Sequence, residues 1–185
     1  MSNIRAFLAI DLDEDLKPKI NTLMKDFKKI DTKIKYVELV NLHLTLKFFG
    51  DIDEEGLKLL EDAISNVVED FKPFNIHIKK CGSFPNKNRI NVIWVGIDDD
   101  TILKQLHDRL DEEFSKLGFD KDKKFSTHLT IGRMKTSKNK QEVRQTIEDN
   151  EDIEIGEMEV NTITLKKSTL TPSGPIYEDL KVFEL

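Results

Sequence analysis

Twice along this chain an apolar run of strand length ends in an acidic residue, leads into an amphipathic helical pattern, and is followed by a strand carrying His-x-Thr. The first run covers residues 4–12 with Asp11-Leu12-Asp13 at its end, and the second covers 89–97 and is followed by Asp98. His43 lies 32 residues after Asp11, and His128 lies 30 after Asp98. Each histidine is preceded by strand and helix and followed by helix and strand. These offsets support an internal duplication with halves at about 1–85 and 86–185. No Pro/Gly/Ser-rich linker separates the halves, so the expectation is one unit of two packed lobes, not two independent domains.

Hydrophobic periodicity supplies the remaining elements. Leu16, Ile20, Leu23, Met24, Phe27 and Ile30 recur at helical spacing, with acidic residues first and lysines later. Strand patterns follow at 33–40 and 42–49, closed by Gly50-Asp51. A second helix carries Leu57, Leu60, Ile64, Val67 and Phe71, and Phe74, Ile76 and Ile78 alternate as a half-buried strand. After the second apolar run come a helix on Ile102, Leu103, Leu106, Leu110, Phe114 and Leu117, with Gly118 as its C-cap, then a strand at 125–132 and a weaker helix around Val143 and Ile147. Strands at about 153–166 and 176–185 end the chain, joined across Thr171-Pro172-Ser173-Gly174-Pro175.

Alternation within the two motif strands sorts their side chains. Asn41, His43, Thr45 and Lys47 are expected on one face, with Leu42, Leu44, Leu46 and Phe48 on the other. Ser126, His128 and Thr130 are likewise expected together, above Leu129 and Ile131. Each copy then presents an imidazole and a hydroxyl ~6–7 Å apart, seated on a packed apolar face. Hydrolysis of a phosphodiester needs one group to take a proton from the nucleophile and another to give one to the leaving oxygen. Histidine can be neutral in one copy and charged in the other near neutral pH. Threonine hydroxyls can donate to the non-bridging oxygens, where charge builds. The symmetry of the motifs leaves open which histidine is acid and which is base. His77 and His107 lack such a setting and read as structural or solvated. Neither motif offers a second histidine or carboxylate at metal-ligand spacing, so no metal and no other cofactor is expected.

The net charge of −6 argues against a protein that coats nucleic acid, yet leaves room for one that grips a single terminal phosphate. The one cysteine, Cys81, precludes an internal disulfide framework and reads as a small buried residue in a reducing cytoplasm. No window approaches the length of a membrane span, and the start, Met1-Ser2-Asn3-Ile4-Arg5, lacks the order of a secretory signal. A cytoplasmic monomer is the expectation.

At these residues the chain resembles the 2H phosphoesterase superfamily and, within it, the RNA 2′,3′-cyclic phosphodiesterases, also called 2′-5′ RNA ligases. Arg5-Ala6-Phe7-Leu8-Ala9-Ile10 looks like that family's opening strand. His43-Leu44-Thr45-Leu46-Lys47-Phe48-Phe49-Gly50 and His128-Leu129-Thr130-Ile131-Gly132-Arg133 look like its paired motifs. Ser168-Thr169-Leu170-Thr171-Pro172-Ser173-Gly174-Pro175-Ile176-Tyr177 resembles its closing segment. The resemblance implies a bilobal α+β fold with two antiparallel sheets lining a central cleft and helices outside. It also implies hydrolysis of RNA 2′,3′-cyclic phosphate ends, tRNA fragments among them, to 2′-phosphates, and 2′-5′ ligation when an RNA 5′-hydroxyl replaces water. By the same analogy His43 is the proton donor and His128 the proton acceptor.

Arg133 is the expected further phosphate contact, because a guanidinium binds phosphate bidentately. Strict alternation puts it on the wrong face unless Gly132 marks a bulge or the strand's end. Lys47 shares the catalytic face and is a candidate to steer RNA, and Tyr177 is a candidate to stack on the terminal base. Phe48 and Phe49 are expected in the core, with stacking on the terminal base as the alternative role. The alternatives are another 2H activity, on small cyclic nucleotide phosphates or 2′-5′ oligonucleotides, and a non-catalytic module that binds RNA ends.

Overall fold

The computed structural model describes residues 3–185. In chain order its elements are β1 (Ile4–Asp11), α1 (Lys17–Lys28), β2 (Ile34–Tyr36), β3 (His43–Ile52), α2 (Glu54–Val68), β4 (Phe74–Pro85), β5 (Ile90–Asp98), α3 (Thr101–Lys116), β6 (His128–Met134), α4 (Lys140–Asp149), β7 (Glu154–Val160), β8 (Thr162–Thr171) and β9 (Gly174–Glu184). One sheet runs β3-β1-β8-β9 and the other β2-β6-β5-β4-β7, with every pairing antiparallel. This is the α+β architecture expected above. Each sheet takes strands from both sides of residue 85: β8 and β9 complete the first, and β2 and β4 enter the second.

The helices form because each carries an apolar stripe that the sheets can cover. Ile20, Leu23, Met24 and Phe27 of α1 are buried, as are Leu60, Ile64 and Val67 of α2 and Leu103, Leu106, Leu110 and Phe114 of α3. Asp53 caps α2, its carboxylate accepting from the Gly56 N–H at 2.7 Å. Gly118, at φ +97°, ends α3: its N–H donates to the Ser115 carbonyl and that of Phe119 to the Phe114 carbonyl. No helix among the described residues is long and apolar enough to cross a membrane. Cys81 is buried, and burial pushes its thiol up to about 12.

Three expected strands are corrected. Of residues 33–40 only Ile34–Tyr36 forms a strand, paired with β6, with one further backbone bond at each end from Lys33 and Val37, after which the chain makes a 3₁₀ turn at Leu39–Asn41. The strand expected from 125 begins at His128, because side chains hold the preceding residues out of the ladder. Phe125 stacks on His107 with centroids 4.0 Å apart, and the Thr127 hydroxyl donates to Asp100 at 2.7 Å. The segment 153–166 divides at Asn161, where the chain leaves one sheet for the other.

One irregularity recurs in both motif strands. Leu8 pairs with Lys47 and Ala9 with Thr45, so Leu46 is an extra residue in β3; Ile93 pairs with Gly132 and Trp94 with Thr130, so Ile131 is an extra residue in β6. A bulge therefore follows each His-x-Thr and reverses the facing of the residues next after it; in β3 a second extra residue, Phe49, reverses it again before Gly50.

Candidate active site

Strands β3 and β6 carry the two motifs to one cleft of about 730 Å³, whose walls include His43, Thr45, His128, Thr130, Arg133 and Tyr177. Both histidines open their strands, His43 opposite Asp11 and His128 opposite Gly96. Leu42 and Leu44, and Leu129 and Ile131, lie buried beneath them.

His43 is held at both nitrogens. Nδ1 lies 2.6 Å from the Asn41 carbonyl and Nε2 lies 3.0 Å from the Thr45 hydroxyl. A carbonyl only accepts, so Nδ1 carries a hydrogen and Nε2 is the nitrogen able to exchange one. Tyr177 packs edge-on against the imidazole at 5.4 Å, and Phe7 lies 5.3 Å away. Burial pushes the His43 pKa below its ordinary value; the Asn41 carbonyl and Asp11 oppose that push and Lys166 adds to it.

His128 is held differently. Its Nδ1 lies 2.6 Å from the Ser126 hydroxyl, which can donate or accept. The Trp94 indole lies across the ring with centroids 3.9 Å apart, and Phe84 meets it edge-on at 5.0 Å. Burial again lowers the pKa; Lys124 lowers it further and Asp100 opposes. Both imidazoles thus sit in apolar seats that favour the neutral form, with unlike partners at Nδ1.

The bulges decide the next residues. Arg133, displaced by Ile131, lines the cleft exposed to solvent, close enough to Tyr177 to lower the phenol's pKa against the burial that raises it. Phe48 occupies the equivalent place after Leu46: it is 51% exposed on the cleft wall with the Arg5 guanidinium 5.1 Å over its ring, which corrects the expectation that it packs in the core. Phe49 is in the core, against Phe114. An adjoining hollow of about 210 Å³ is lined by Arg5, Phe7, Phe48 and Tyr177.

Lys47 borders the cleft, but its ammonium is held within the protein, donating to Asp111 Oδ1 at 2.6 Å, the Asp120 carbonyl at 2.7 Å and Asp122 Oδ1 at 3.1 Å. The expectation of a cation available to steer RNA is therefore corrected. Leu46 bulges, Lys47 turns inward with it, and burial would be untenable without the carboxylates.

Sequence reading missed Trp94, Phe84 and the group that binds Lys47. That group includes His107, whose Nε2 lies 2.8 Å from Asp122 Oδ2. His107 and Asp111 stand four apart on α3, the one signal available. With Asp122 they present ligand atoms within 4.8 Å of one another, a set able to hold a metal, and Lys47 is bonded to both of its aspartates. His77 is a surface residue bonded to Glu154.

The model of the 2′-5′ RNA ligase superfamily matches residues 13–170. Among similar proteins are the RNA 2′,3′-cyclic phosphodiesterases of Methanothermobacter thermautotrophicus, 41% identical over 98% of this chain and 99% of that protein, and of Methanocaldococcus jannaschii, 44% identical over 96% and 99%. Among solved structures, a Thermus thermophilus protein superposes with TM-score 0.83 at 25% identity, covering 98% of this chain and 97% of that one. Escherichia coli LigT complexed with 3′-AMP has TM-score 0.78 at 23% identity over 99% and 98%, a likeness of fold.

Proposed function

The chain belongs to the 2′-5′ RNA ligase superfamily, and from that premise we propose that its cleft hydrolyses RNA 2′,3′-cyclic phosphate ends to 2′-phosphomonoesters, with His43 as acid and His128 as base. The observation that carries this reading is that both His-x-Thr pairs line one cleft while each imidazole has its Nδ1 engaged by a neighbour. Nε2 is then the reactive nitrogen on both sides, with His128 donating its Nδ1–H to the Ser126 hydroxyl so that its Nε2 is free to accept a proton.

The reaction follows from those atoms. His128 Nε2 takes a proton from water as its oxygen attacks phosphorus. The P–O3′ bond breaks, and the departing O3′ takes the proton from His43 Nε2, leaving a 2′-phosphate and a free 3′-hydroxyl. The Asn41 carbonyl accepts from Nδ1–H and favours the imidazolium an acid needs; Asp11 acts in the same sense. Lys166 opposes them, and burial lowers both histidines, but His128 has the Ser126 hydroxyl in place of a carbonyl at Nδ1, and there Lys124 favours the neutral ring a base needs while Asp100 opposes it. This difference supports the assigned order. The Thr45 hydroxyl, bonded to His43 Nε2 in the free protein, turns to a non-bridging phosphate oxygen when substrate arrives, and Thr130 does the same from the other side. Arg133 binds the phosphate and Tyr177 borders the terminal nucleoside. An RNA 5′-hydroxyl in place of water gives a 2′-5′ linkage by the same displacement.

The deciding experiment is product analysis on RNA ending in a 2′,3′-cyclic phosphate, in EDTA. A 2′-phosphate is expected, with His43→Ala and His128→Ala each lowering kcat by about 10²–10⁴-fold. A 3′-phosphate product would overturn the assignment of the broken bond. Activity lost in EDTA and restored by a divalent cation would overturn the metal-free mechanism.

A further inference from the structure

We propose that Lys35 and Lys135, standing beyond Arg133 on the cleft wall, form a subsite for the phosphodiester backbone leading to the reacting end. On this basis the preferred substrate is an RNA strand and not a cyclic mononucleotide. The proposal rests on the function argued above and concerns which members of that substrate class the cleft selects.

The register of the second sheet's edge creates the subsite. Lys35 on β2 pairs directly with Arg133 on β6, and the Lys135 N–H donates to the Lys33 carbonyl at 2.9 Å, continuing the pairing by two residues. Because of the bulge at Ile131, Arg133 and Lys135 face the cleft with Thr130. Lys35, Arg133 and Lys135 all line the cavity that holds both histidines. Same-face residues on a strand are ~6–7 Å apart, so the cations step away from the catalytic threonine along the wall.

Electrostatics makes this arrangement costly unless an anion visits. Like charges directly opposite across a ladder repel. Among the described residues the buried cations Lys17, Lys47 and Lys166 each have a carboxylate within 2.7 Å, whereas Lys35, Arg133 and Lys135, gathered on one cleft wall, have none at ion-pair distance. Asp122, on the same wall, is taken up by Lys47 and His107, leaving Glu38 as its remaining carboxylate. A mononucleotide brings one phosphate, which Arg133, nearest Thr130, can meet. Lys35 and Lys135 would then face no anion, and only a strand with further phosphodiesters gives them partners.

The test compares wild type with the double variant Lys35→Ala/Lys135→Ala. The first measurement is the affinity for a single-stranded pentanucleotide ending in a 2′-phosphate, read by fluorescence anisotropy across a salt series. For every phosphate left without its lysine, binding should weaken about fivefold at ~0.1 M salt and the log–log salt slope should flatten by ~0.7. The second is KM for the cyclic-phosphate pentanucleotide, which should rise by the same factor relative to KM for cytidine 2′,3′-cyclic phosphate, with Lys35→Arg/Lys135→Arg restoring it. Unchanged affinity and slope would overturn the proposal. So would an equal loss on strand and mononucleotide, which would put the lysines at the reacting phosphate. Affinity is read without turnover, so lysine-dependent binding in a protein that opened no cyclic phosphate would support the subsite while refuting the hydrolase reading.

Discussion

The Lys47 ammonium donates to Asp111 Oδ1 at 2.6 Å, with both side chains less than a tenth exposed. Asp111 in turn accepts from the Asp122 N–H at 2.8 Å, and Asp122 from Lys47 and His107. The strand of the first motif is thereby tied to α3 and to the loop that leads into the second. Removing the cation leaves a buried carboxylate unpaired, so Lys47→Met should cost about 3 kcal/mol in urea unfolding. Adding Asp111→Asn should recover part of that loss, since the two residues are in contact. A Lys47→Met protein as stable as wild type would show that the group is not a structural tie.

The same pair sets a response to acid. Burial alone would raise the Asp111 pKa, but the Lys47 hydrogen bond and the Asp122 N–H outweigh it and hold the carboxyl below its ordinary 3.8. A carboxyl whose pKa is lower folded than unfolded contributes stability that is whole above 3.8 and lost as pH falls through the folded value. Thermal melts should show a steeper loss below roughly pH 4 in wild type than in Asp111→Asn. Parallel curves would mean that Asp111 titrates alike in both states.

Trp94, the single tryptophan, lies 3.9 Å from His128 and reports its charge. Protonation places a cation against the indole, so fluorescence should titrate with a midpoint below 6.5, the direction in which burial and Lys124 move this histidine. Lys124→Ala removes a cation and should raise the midpoint; His128→Gln should abolish the transition. A midpoint above 6.5 would contradict the apolar seat assigned to this ring.

The two motifs and the layered fold were legible in the sequence because both rest on short-range periodicity, which Leu42, Leu44, Leu129 and Ile131 state plainly. Facing beyond the motifs was not, because a single extra residue at Leu46 or Ile131 reverses it: nothing beside Leu46 marks a bulge, and Gly132 in the second strand fits a bulge or a strand's end alike. Arg133 therefore reached the cleft against strict alternation, Phe48 left the core, and Lys47 turned inward. The partners of Lys47 come from α3 and from the loop before β6, 64 to 75 residues away, a separation at which no local pattern operates. A duplication across residue 85 stays a proposal about sequence order, since each sheet draws on both halves.

Gly82 supplies the last prediction, because the seat of His128 depends on its missing side chain. A Cβ at that position would stand 2.3 Å from the Trp94 ring, far inside contact, so the indole must move. His128 packs against that indole at a tilt of 39°, while its Nδ1 bond to Ser126 leaves the ring free to swing about one anchor. A small displacement of a base from its line of attack is costly, so Gly82→Ala should lower kcat about 10–100-fold while KM changes little. Stability alone can fall for the same reason, and a second variant separates the effects. Trp94→Phe removes the ring atoms that clash, so Gly82→Ala/Trp94→Phe should be more active than Gly82→Ala, although each single change costs activity. If the double variant is no better than the product of the two single losses, the indole does not seat the base, and the close approach at Gly82 serves packing only.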